Sequence, residues 1–512
     1  MTDADTIHRL LERGAAGACA IAAPGQAPLD YQGLRRHTES VGRALNDLGV
    51  GRGDRVAIVL ANGPEMASAF VTIAAAATTA PLNPGFRRDE FDFYLSDMGA
   101  KALVVAAGAE TPARAAAADR GVPVIELHAE ARATGLFTLS GEGRGPGVGT
   151  GPAAAGDIAL VLHTSGTTSR PKIVPLSQAN VAASARHIGA TLALVPEDRC
   201  LNIMPLFHIH GLIAAVLSSL AAGGSVVCTP GFNALKFFGW LDADRPSWYT
   251  AVPTMHQAIL ARAPRNRDVI ERARLRLIRS SSASLPPRVM AELEDIFGCP
   301  VIESYGMTEA AHQMASNPLP PATRKPGTVG IAAGPEIAIM DADGALVPAG
   351  EIGEVVIRGP NVSAGYENNP KANAEGFSDG WFRTGDQGML DDDGYLTITG
   401  RLKEIINRGG EKISPREVDE VLMDHPSVAQ VVTFAVPHAK LGEDVAAAVV
   451  PRDGASIEVA ALREFAGLRL ADFKVPRRIV VLDEIPKGST GKLQRIGLAR
   501  KLGLARKLGP AT

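Results

Sequence analysis

Short apolar runs alternate with stretches of helical spacing along most of the chain. The run Arg55 to Ala61 (RVAIVLA) predicts a strand, whereas Tyr31 to Leu48 places its apolar residues at helical intervals. Further apolar runs occupy residues 102–107, 122–127 and 158–162, with helical stretches between them. This alternation predicts an α/β fold with parallel, doubly wound sheets.

Beyond Glu354 the pattern changes to shorter strands of alternating character. The predicted strands lie at 354–358, 395–399, 428–436, 445–450 and 478–482. Ser414 and Glu417 flank Pro415 as a capping box that opens a helix. We therefore expect a large N-terminal domain, residues 1–400, that ends in a β-rich subdomain, followed by a small α+β domain, residues 401–512.

Composition narrows the class of protein. A chain of 512 residues is too long for one core, and a net charge of −3 gives no electrostatic reason to expect a nucleic acid partner. The uncharged stretch 211–229 is split by Gly223 and Gly224, so it predicts a buried helix and strand, with no membrane span. The four scattered cysteines predict reduced thiols in a cytoplasmic protein.

One polar loop has the chemistry of a phosphate site. The apolar run 158–162 leads into a loop rich in hydroxyls and closed by a cation, with the candidate residues Thr164, Ser165, Gly166, Thr167, Thr168 and Lys172. Backbone N–H groups, hydroxyls and a lysine can together hold phosphate oxygens. The Walker motif is excluded because Lys172 precedes isoleucine. A solvated Ser/Thr turn is the alternative that this loop alone leaves open.

Three more polar turns follow apolar runs, at MPLFHIHG (204–211), RLRLIRSSSASL (274–285) and VIESYGMTE (301–309). Their positions predict that they lie at the carboxyl ends of strands, where ligands bind in open α/β sheets. His208 and His210 form an H-x-H pair that could bind a metal, but the sequence offers no third or fourth ligand.

Five motifs then occur in one order: TSGTTSRPK, YGMTE, WFRTGD, GRLKEII and PKGSTGK. With these motifs in this order, the chain resembles the AMP-forming adenylating enzymes, which comprise acyl-CoA synthetases, adenylation domains and beetle luciferase. Within that superfamily, the segments RPKIVPLSQAN, FHIHGL, IRSSSASL and INRGGEKISPREVD resemble oxalate–CoA ligases. The likeness extends from about Tyr31 to Arg495.

The resemblance implies a reaction in two steps with ATP, Mg²⁺ and coenzyme A. A carboxylate attacks the α-phosphate of ATP, and the thiol of coenzyme A then displaces AMP. The resemblance assigns the hydroxyl loop and Lys172 to the triphosphate, Thr308 to the α-phosphate and Glu309 to Mg²⁺. Tyr305 resembles the residue that stacks on adenine, and Ser282, Ala283 and Gly306 are further nucleotide-binding candidates. The alternative for Glu309 is an acid at a helix N-terminus.

Asp386 and Arg401 resemble ribose ligands, and Asp386 follows Gly385 in a predicted tight turn. Lys403 takes the hinge position of a mobile C-terminal domain. Lys492, in a glycine-rich loop, takes the position of the catalytic lysine. The alternatives are a solvated strand end for Arg401 and Lys403 and an ordinary surface lysine for Lys492.

The predicted acyl pocket is small and polar. Ser281 stands where related chains commonly carry glycine, and the resemblance places His208 as a gate with His312 nearby. This wall favours a short dicarboxylate, oxalate first and malonate second. Arg279 could add charge if it turned inward, but a strand arginine that faces solvent is the favoured interpretation.

Four alternative functions stay open at this point. They are a medium- or long-chain fatty acyl-CoA synthetase, a stand-alone adenylation enzyme that loads a carrier protein, a luciferase-like oxygenase, and a nucleotide-binding protein without turnover. Lys492 argues against the last of these.

Overall fold

The computed structural model describes residues 5–130, 133–142, 147, 149–164, 171–487 and 493–504. Within these ranges the strands form four sheets. Two of them are mainly parallel, one is antiparallel, and the fourth belongs to the C-terminal part of the chain. No helix among the described residues is long and apolar enough to cross a membrane.

The first sheet has seven strands. In spatial order they are Phe137–Ser140, Val124–Ala129, Ala102–Ala106, Arg55–Val59, Thr78–Pro81, Ile158–Thr164 and Lys172–Ser177. The inner pairs are parallel, and the two outer strands are antiparallel to their neighbours. The inner strands are buried almost throughout because helices cover both faces of a parallel sheet.

The second sheet has nine strands. In spatial order they are Ile331–Ala332, His312–Ser316, Val301–Met307, Leu277–Ser281, Trp248–Ala251, Arg199–Asn202, Ser225–Cys228, Cys19–Ala22 and Leu29–Asp30. The six strands from Val301–Met307 to Cys19–Ala22 run parallel. The antiparallel strand His312–Ser316 then returns along Val301–Met307.

Most helices pack against these two sheets, and those from Pro415 onward belong to the C-terminal part of the chain. The α-helices are Ile7–Leu10, Tyr31–Asp47, Pro64–Ala74, Arg88–Asp97, Pro112–Asp119, Gln178–Thr191, Ser218–Ala221, Phe237–Asp244, Pro253–Leu260, Arg267–Arg272, Pro287–Phe297, Pro370–Gly376, Pro415–Met423, Val459–Gly467 and Leu498–Lys501. Short 3₁₀ turns occupy Leu11–Arg13, Ala263–Arg265 and Thr308–Ala310, and His210–Leu217 is a π-helix. Every residue of that π-helix is buried, and residues 212–217 belong to a hydrophobic core that also contains residues of both sheets.

The last two sheets are smaller. The six-stranded sheet contains Leu346–Val347, Glu336–Met340, Gly353–Arg358, Trp381–Leu390, Phe377–Ser378 and Leu396–Arg401. The C-terminal sheet contains Glu411–Ile413, Ile406–Arg408, Gly442–Pro451, Val428–His438 and Arg478–Val481. It has a hydrophobic core of its own, formed with the helices Pro415–Met423 and Val459–Gly467.

The predicted fold class is confirmed: the chain is α/β, with doubly wound sheets, a β-rich subdomain and a small α+β unit. Half of the predicted capping box is found: the Ser414 hydroxyl accepts the Glu417 N–H, whereas the Glu417 carboxylate accepts hydrogen bonds from Lys474 Nζ. One local prediction is wrong. Asp386 does not lie in a tight turn but within the strand Trp381–Leu390, where the pairing shifts register at a bulge.

Candidate active site

Three of the polar turns singled out in the sequence lie at one edge of the nine-stranded sheet. They follow the strands Val301–Met307, Leu277–Ser281 and Arg199–Asn202, which run parallel with Trp248–Ala251 between the last two. Their carboxyl ends therefore point the same way, and the turns after them lie side by side. Such an edge is where ligands bind in open α/β sheets.

The predicted phosphate loop connects two paired strands. Thr164 ends one strand, and Lys172, its register partner, begins the next. The predicted phosphate ligands Ser165, Gly166, Thr167 and Thr168 lie outside the described residues. The Nζ atom of Lys172 stands 4.2 Å from the centroid of the Tyr366 ring. A cation over an aromatic face is favourable, so Tyr366 helps to hold Lys172 in place.

Glu309 lies in the 3₁₀ turn that Thr308 begins, directly after the strand Val301–Met307. Its side chain is buried, and its Oε1 accepts a hydrogen bond of 2.8 Å from the Tyr366 hydroxyl. Burial raises the pKa of Glu309, while that hydrogen bond and the charges of Arg401 and Lys172 oppose the shift. The carboxylate is thus a buried acid whose neighbours favour its charged form.

Asp386 is the centre of a second set of contacts. Its Oδ2 accepts a 2.5 Å hydrogen bond from the Tyr305 hydroxyl, and its Oδ1 accepts a 2.8 Å bond from Arg401 Nε. Arg401 is its register partner on the next strand. Burial raises the pKa of Asp386, and the Arg401 charge opposes that shift. We call Tyr305, Glu309, Tyr366, Asp386 and Arg401 the Asp386 cluster.

A second group of side chains surrounds Arg279 of the strand Leu277–Ser281. The His210 ring contacts Ser282 Oγ at 3.0 Å through Nδ1 and Thr250 Oγ1 at 2.6 Å through Nε2. The His210 and His312 rings are 4.9 Å apart, centroid to centroid. Beneath them lies Arg279, whose side chain is completely buried. We call His210, Thr250, Arg279, Ser282 and His312 the Arg279 cluster.

Arg279 corrects the sequence interpretation. A solvent-facing strand arginine was expected, yet its exposed fraction is 0%. The whole strand Leu277–Ser281 is buried, so neither of its faces meets solvent. An arginine at this position has to turn into the protein.

The two neighbouring serines have different surroundings. The Ser281 hydroxyl donates a 2.9 Å hydrogen bond to the carbonyl of Ser304 on the adjacent strand. Ser282 instead has a φ of +73°, which directs the chain out of the sheet toward His210. Ala283 follows it and is exposed.

Backbone strain also concentrates here. Ala311 has a φ of +47° and His312 a φ of +104°, and residues other than glycine rarely adopt such values. Gly306 lies against this turn, where an added Cβ would stand 1.7 Å from the His312 carbonyl oxygen. Only glycine fits at 306. Strained backbone of this kind occurs frequently at functional sites.

His208 lies just before the π-helix, and its Nδ1 accepts the backbone N–H of His210 at 3.3 Å. π-helical turns are frequent at functional sites. The described residues contain no group of three or more His, Cys, Asp or Glu side chains that could hold a metal ion.

Two predicted site residues belong to the C-terminal part of the chain. Lys403 is exposed in the turn between the strands Leu396–Arg401 and Ile406–Arg408. Lys492 lies outside the described residues. Sequence reasoning did not identify Tyr366 or Thr250 as neighbours of the site, and it considered His210 only as part of an H-x-H pair. A tyrosine beside Gly365 and a threonine inside an apolar strand carry no local signal of such a position.

Comparison with known proteins agrees with this arrangement. The sequence profile of the AMP-binding enzyme family matches residues 12–367, and that of the AMP-binding enzyme C-terminal domain matches residues 417–492. A probable CoA ligase of Humulus lupulus is 45% identical over 96% of this chain and 95% of its own length. The oxalate–CoA ligase of Arabidopsis thaliana is 44% identical over 96% of this chain and 98% of its own length.

Among solved structures, the ATP-bound crystal structure of MatB from Rhodopseudomonas palustris superposes with a TM-score of 0.87. Its sequence is 29% identical, and the superposition covers 97% of this chain and 98% of that one. The fold is therefore shared over nearly the whole length of both chains.

Proposed function

Because this chain belongs to the AMP-binding enzyme family, we propose that it is an ATP-dependent acid–CoA ligase that acts on oxalate or another short dicarboxylate. One observation carries the proposal: the Asp386 cluster and the Arg279 cluster meet along one pair of strands. Tyr305 belongs to the first cluster, and His312 to the second. They lie on the paired strands Val301–Met307 and His312–Ser316. A nucleotide and a small acid bound at these clusters would be neighbours.

In the first step the acid carboxylate attacks the α-phosphorus of ATP. The bond to the bridging oxygen breaks, pyrophosphate leaves and an acyl-adenylate forms. Such an attack brings two anions together and requires fixed cations and dipoles at the developing charge. Thr164, Lys172 and the loop between them would bind the triphosphate, and Thr308 the α-phosphate.

The nucleoside would occupy the Asp386 cluster. Asp386 is a buried carboxylate already oriented by Tyr305 and Arg401. An oriented carboxylate can accept both ribose hydroxyls, and the half-buried Tyr305 ring offers a face for adenine. Gly306 leaves room for the chain to turn beside that ring.

The chain also fits Mg²⁺. This ion is usually bound through one or two carboxylates together with substrate phosphates. Glu309 supplies one buried carboxylate, held by Tyr366 near Lys172 and at the start of the turn that would face the phosphates. When bound there, Mg²⁺ would neutralise phosphate charge.

In the second step the thiol of coenzyme A loses its proton and attacks the acyl carbon, and AMP leaves. We place the domain division at Arg401, with residues 1–400 and 401–512 as the two parts and Lys403 as the hinge. The exposed turn that contains Lys403 supports this assignment because it joins the six-stranded sheet to the C-terminal sheet. Lys492 would supply a cation in the first step and withdraw for the second.

The side chains of the Arg279 cluster indicate which class of acid the protein binds. Its walls consist of imidazole, hydroxyl and guanidinium groups. An alkyl chain beside these groups would leave them without hydrogen-bond partners, which is costly. A second carboxylate would accept hydrogen bonds from them, and the likeness to an oxalate–CoA ligase supports the same class.

A panel of acids tests the proposal. Oxalate, malonate, acetate and octanoate are each supplied with ATP, and pyrophosphate release and thioester formation are measured with and without coenzyme A. We expect oxalate to give the highest kcat/KM, exceeding octanoate by about 10⁴, since sites built to hydrogen-bond a group strongly reject analogues without it.

Two results of this panel would overturn the assignment. The highest kcat/KM with octanoate would make the protein a fatty acyl-CoA synthetase. Pyrophosphate release without any thioester would make it an adenylation enzyme with another acceptor.

A further inference from the structure

Arg279 is a buried cation without a buried anion. It is fully enclosed, and none of the ion pairs among the described residues involves it. Transferring a charge out of water is costly unless an opposite charge compensates for it. Burial accordingly lowers the pKa of Arg279 to about 9, which still leaves the group protonated at neutral pH.

The contacts that Arg279 does make are long. Its Nη1 lies 3.3 Å from His312 Nε2, 3.4 Å from Thr250 Oγ1 and 3.5 Å from His210 Nε2. Its Nη2 lies 3.3 Å from Gln313 Oε1, and its Nε has no partner. These distances exceed the roughly 2.7–3.2 Å that is usual for hydrogen bonds from nitrogen donors. The guanidinium is therefore weakly satisfied.

Two other arginines of low exposure, Arg408 and Arg495, are paired with acids. Arg408 Nε binds Asp444 at 2.7 Å, and Arg495 Nη1 binds Glu404 at 2.7 Å. These pairs have the short distances of charge-assisted bonds. The contrast indicates that the surroundings of Arg279 are suited to an anion that the chain itself does not supply.

The contacts with Arg279 and Thr250 favour one tautomer of each neutral imidazole. An arginine only donates, so the His312 Nε2 that faces it must accept, and the neutral ring carries its proton on Nδ1. Thr250 Oγ1 accepts from Arg279 and can donate to His210 Nε2, which leaves the His210 Nδ1 proton for Ser282 Oγ. Arg279 thus orients two imidazoles as donors from its buried position.

We propose that Arg279 is the positioning residue for acid specificity: acting through His210 and His312, it makes the pocket favour the second carboxylate of a dicarboxylate over a monocarboxylate. This inference rests on the proposed ligase function. It assigns a role in acid selection to Arg279 of the strand Leu277–Ser281, although Arg279 itself does not contact the reacting atoms.

The experiment compares Arg279→Met with the wild type on oxalate and acetate. Methionine fills a similar volume without charge. We expect kcat/KM for oxalate to fall by about 10- to 100-fold, the range for losing a hydrogen bond to a charged group, chiefly through KM. KM for ATP and the acetate rate should change less than about 3-fold. The melting temperature should stay the same or rise, because removing a poorly paired buried charge is often neutral or stabilising.

Two further variants accompany this comparison. Arg276→Met removes an arginine just before the same strand, where it pairs with Asp198 at 2.7 Å, and should leave the oxalate-to-acetate ratio unchanged. Arg279→Lys keeps the charge but loses the fork of donors, so it should retain part of the oxalate preference. Arg279→Lys also tests the inference if the Arg279→Met variant does not fold.

The outcomes are distinguishable. Equal losses on both acids with a lowered melting temperature would make Arg279 a purely structural residue and overturn this inference alone. A wild-type enzyme that forms no thioester with any dicarboxylate would overturn both this inference and the proposed function.

Discussion

The Asp386 cluster and the Arg279 cluster share one sheet edge but differ in their charge balance. In the Asp386 cluster each buried carboxylate faces a phenol and a cation, as Asp386 does with Tyr305 and Arg401. In the Arg279 cluster a buried cation faces two imidazoles, a hydroxyl and an amide. In the first arrangement the Asp386 charge is compensated by Arg401 without a ligand. The second is completed only by an anion.

This difference indicates two ways of preparing a binding site. Compensated charges hold their geometry at little cost and orient a neutral or polar group such as a sugar. An uncompensated charge costs stability in the free protein but strengthens the attraction for a small anion in a site of low dielectric constant. Selectivity among acids should therefore depend on the Arg279 cluster, and nucleotide binding on the Asp386 cluster.

Asp386→Asn should give the largest effect. The amide cannot match the charge-assisted bond from Arg401, and the proposed ribose contact weakens with it. We expect KM for ATP to rise and kcat/KM to fall by about 100-fold, from the loss of charge-assisted bonds worth 1.5–3 kcal/mol each. Steady-state kinetics with oxalate and with acetate should show the same proportional loss. A changed preference between the two acids would contradict the separation of the clusters.

Tyr366→Phe should have an intermediate effect. The variant removes the hydroxyl that holds Glu309 but keeps the ring beneath Lys172. We expect about a 10-fold loss in the first half-reaction, with a higher Mg²⁺ concentration needed for half-maximal rate. Pyrophosphate exchange measured over a Mg²⁺ series tests this.

Tyr395→Phe is the matched control for that variant. Tyr395 also lies under a lysine, with Lys325 Nζ at 4.3 Å from its ring, and its hydroxyl binds the Thr323 carbonyl. Tyr395 lies outside both clusters, so the Tyr395→Phe variant should exchange pyrophosphate at the wild-type rate. Equal Mg²⁺ dependence in the two variants would show that Tyr366 does not act through Glu309.

The smallest effects are expected from alanine substitutions of two adjacent serines, Ser282 and Ser281, and the two substitutions should differ in what they change. Ser282→Ala removes the hydroxyl that meets His210 and should change the oxalate-to-acetate ratio by about 3- to 10-fold, the value of one hydrogen bond. Ser281→Ala removes a hydroxyl bound to the Ser304 carbonyl, so it should lower the melting temperature and leave that ratio unchanged. The reverse pattern, measured by competition between the acids, would place Ser281 in the pocket wall instead.

Much of the fold follows from local pattern. The runs at Arg55 and Ala102 are strands to within two residues of their predicted ends, and the helix predicted from Tyr31 to Leu48 spans Tyr31–Asp47. Strands and helices of this kind are detectable because burial imposes a period on the sequence. Proximity within the site was harder to predict. Tyr366 lies 57 residues after the acid that it contacts, in a segment with no motif.

Local sequence patterns establish that the chain alternates strands and helices, that its polar turns follow buried strands, and that its motifs are those of an adenylating enzyme family. Tertiary structure alone decided where Arg279 points. A strand buried on one face alternates polar and apolar residues, so its pattern reveals which side chains point inward. The strand Leu277–Ser281 is buried on both faces, and its pattern carries no such information. Arg279 was expected in solvent, but because helices pack on both sides of the sheet it is a buried cation beside two histidines.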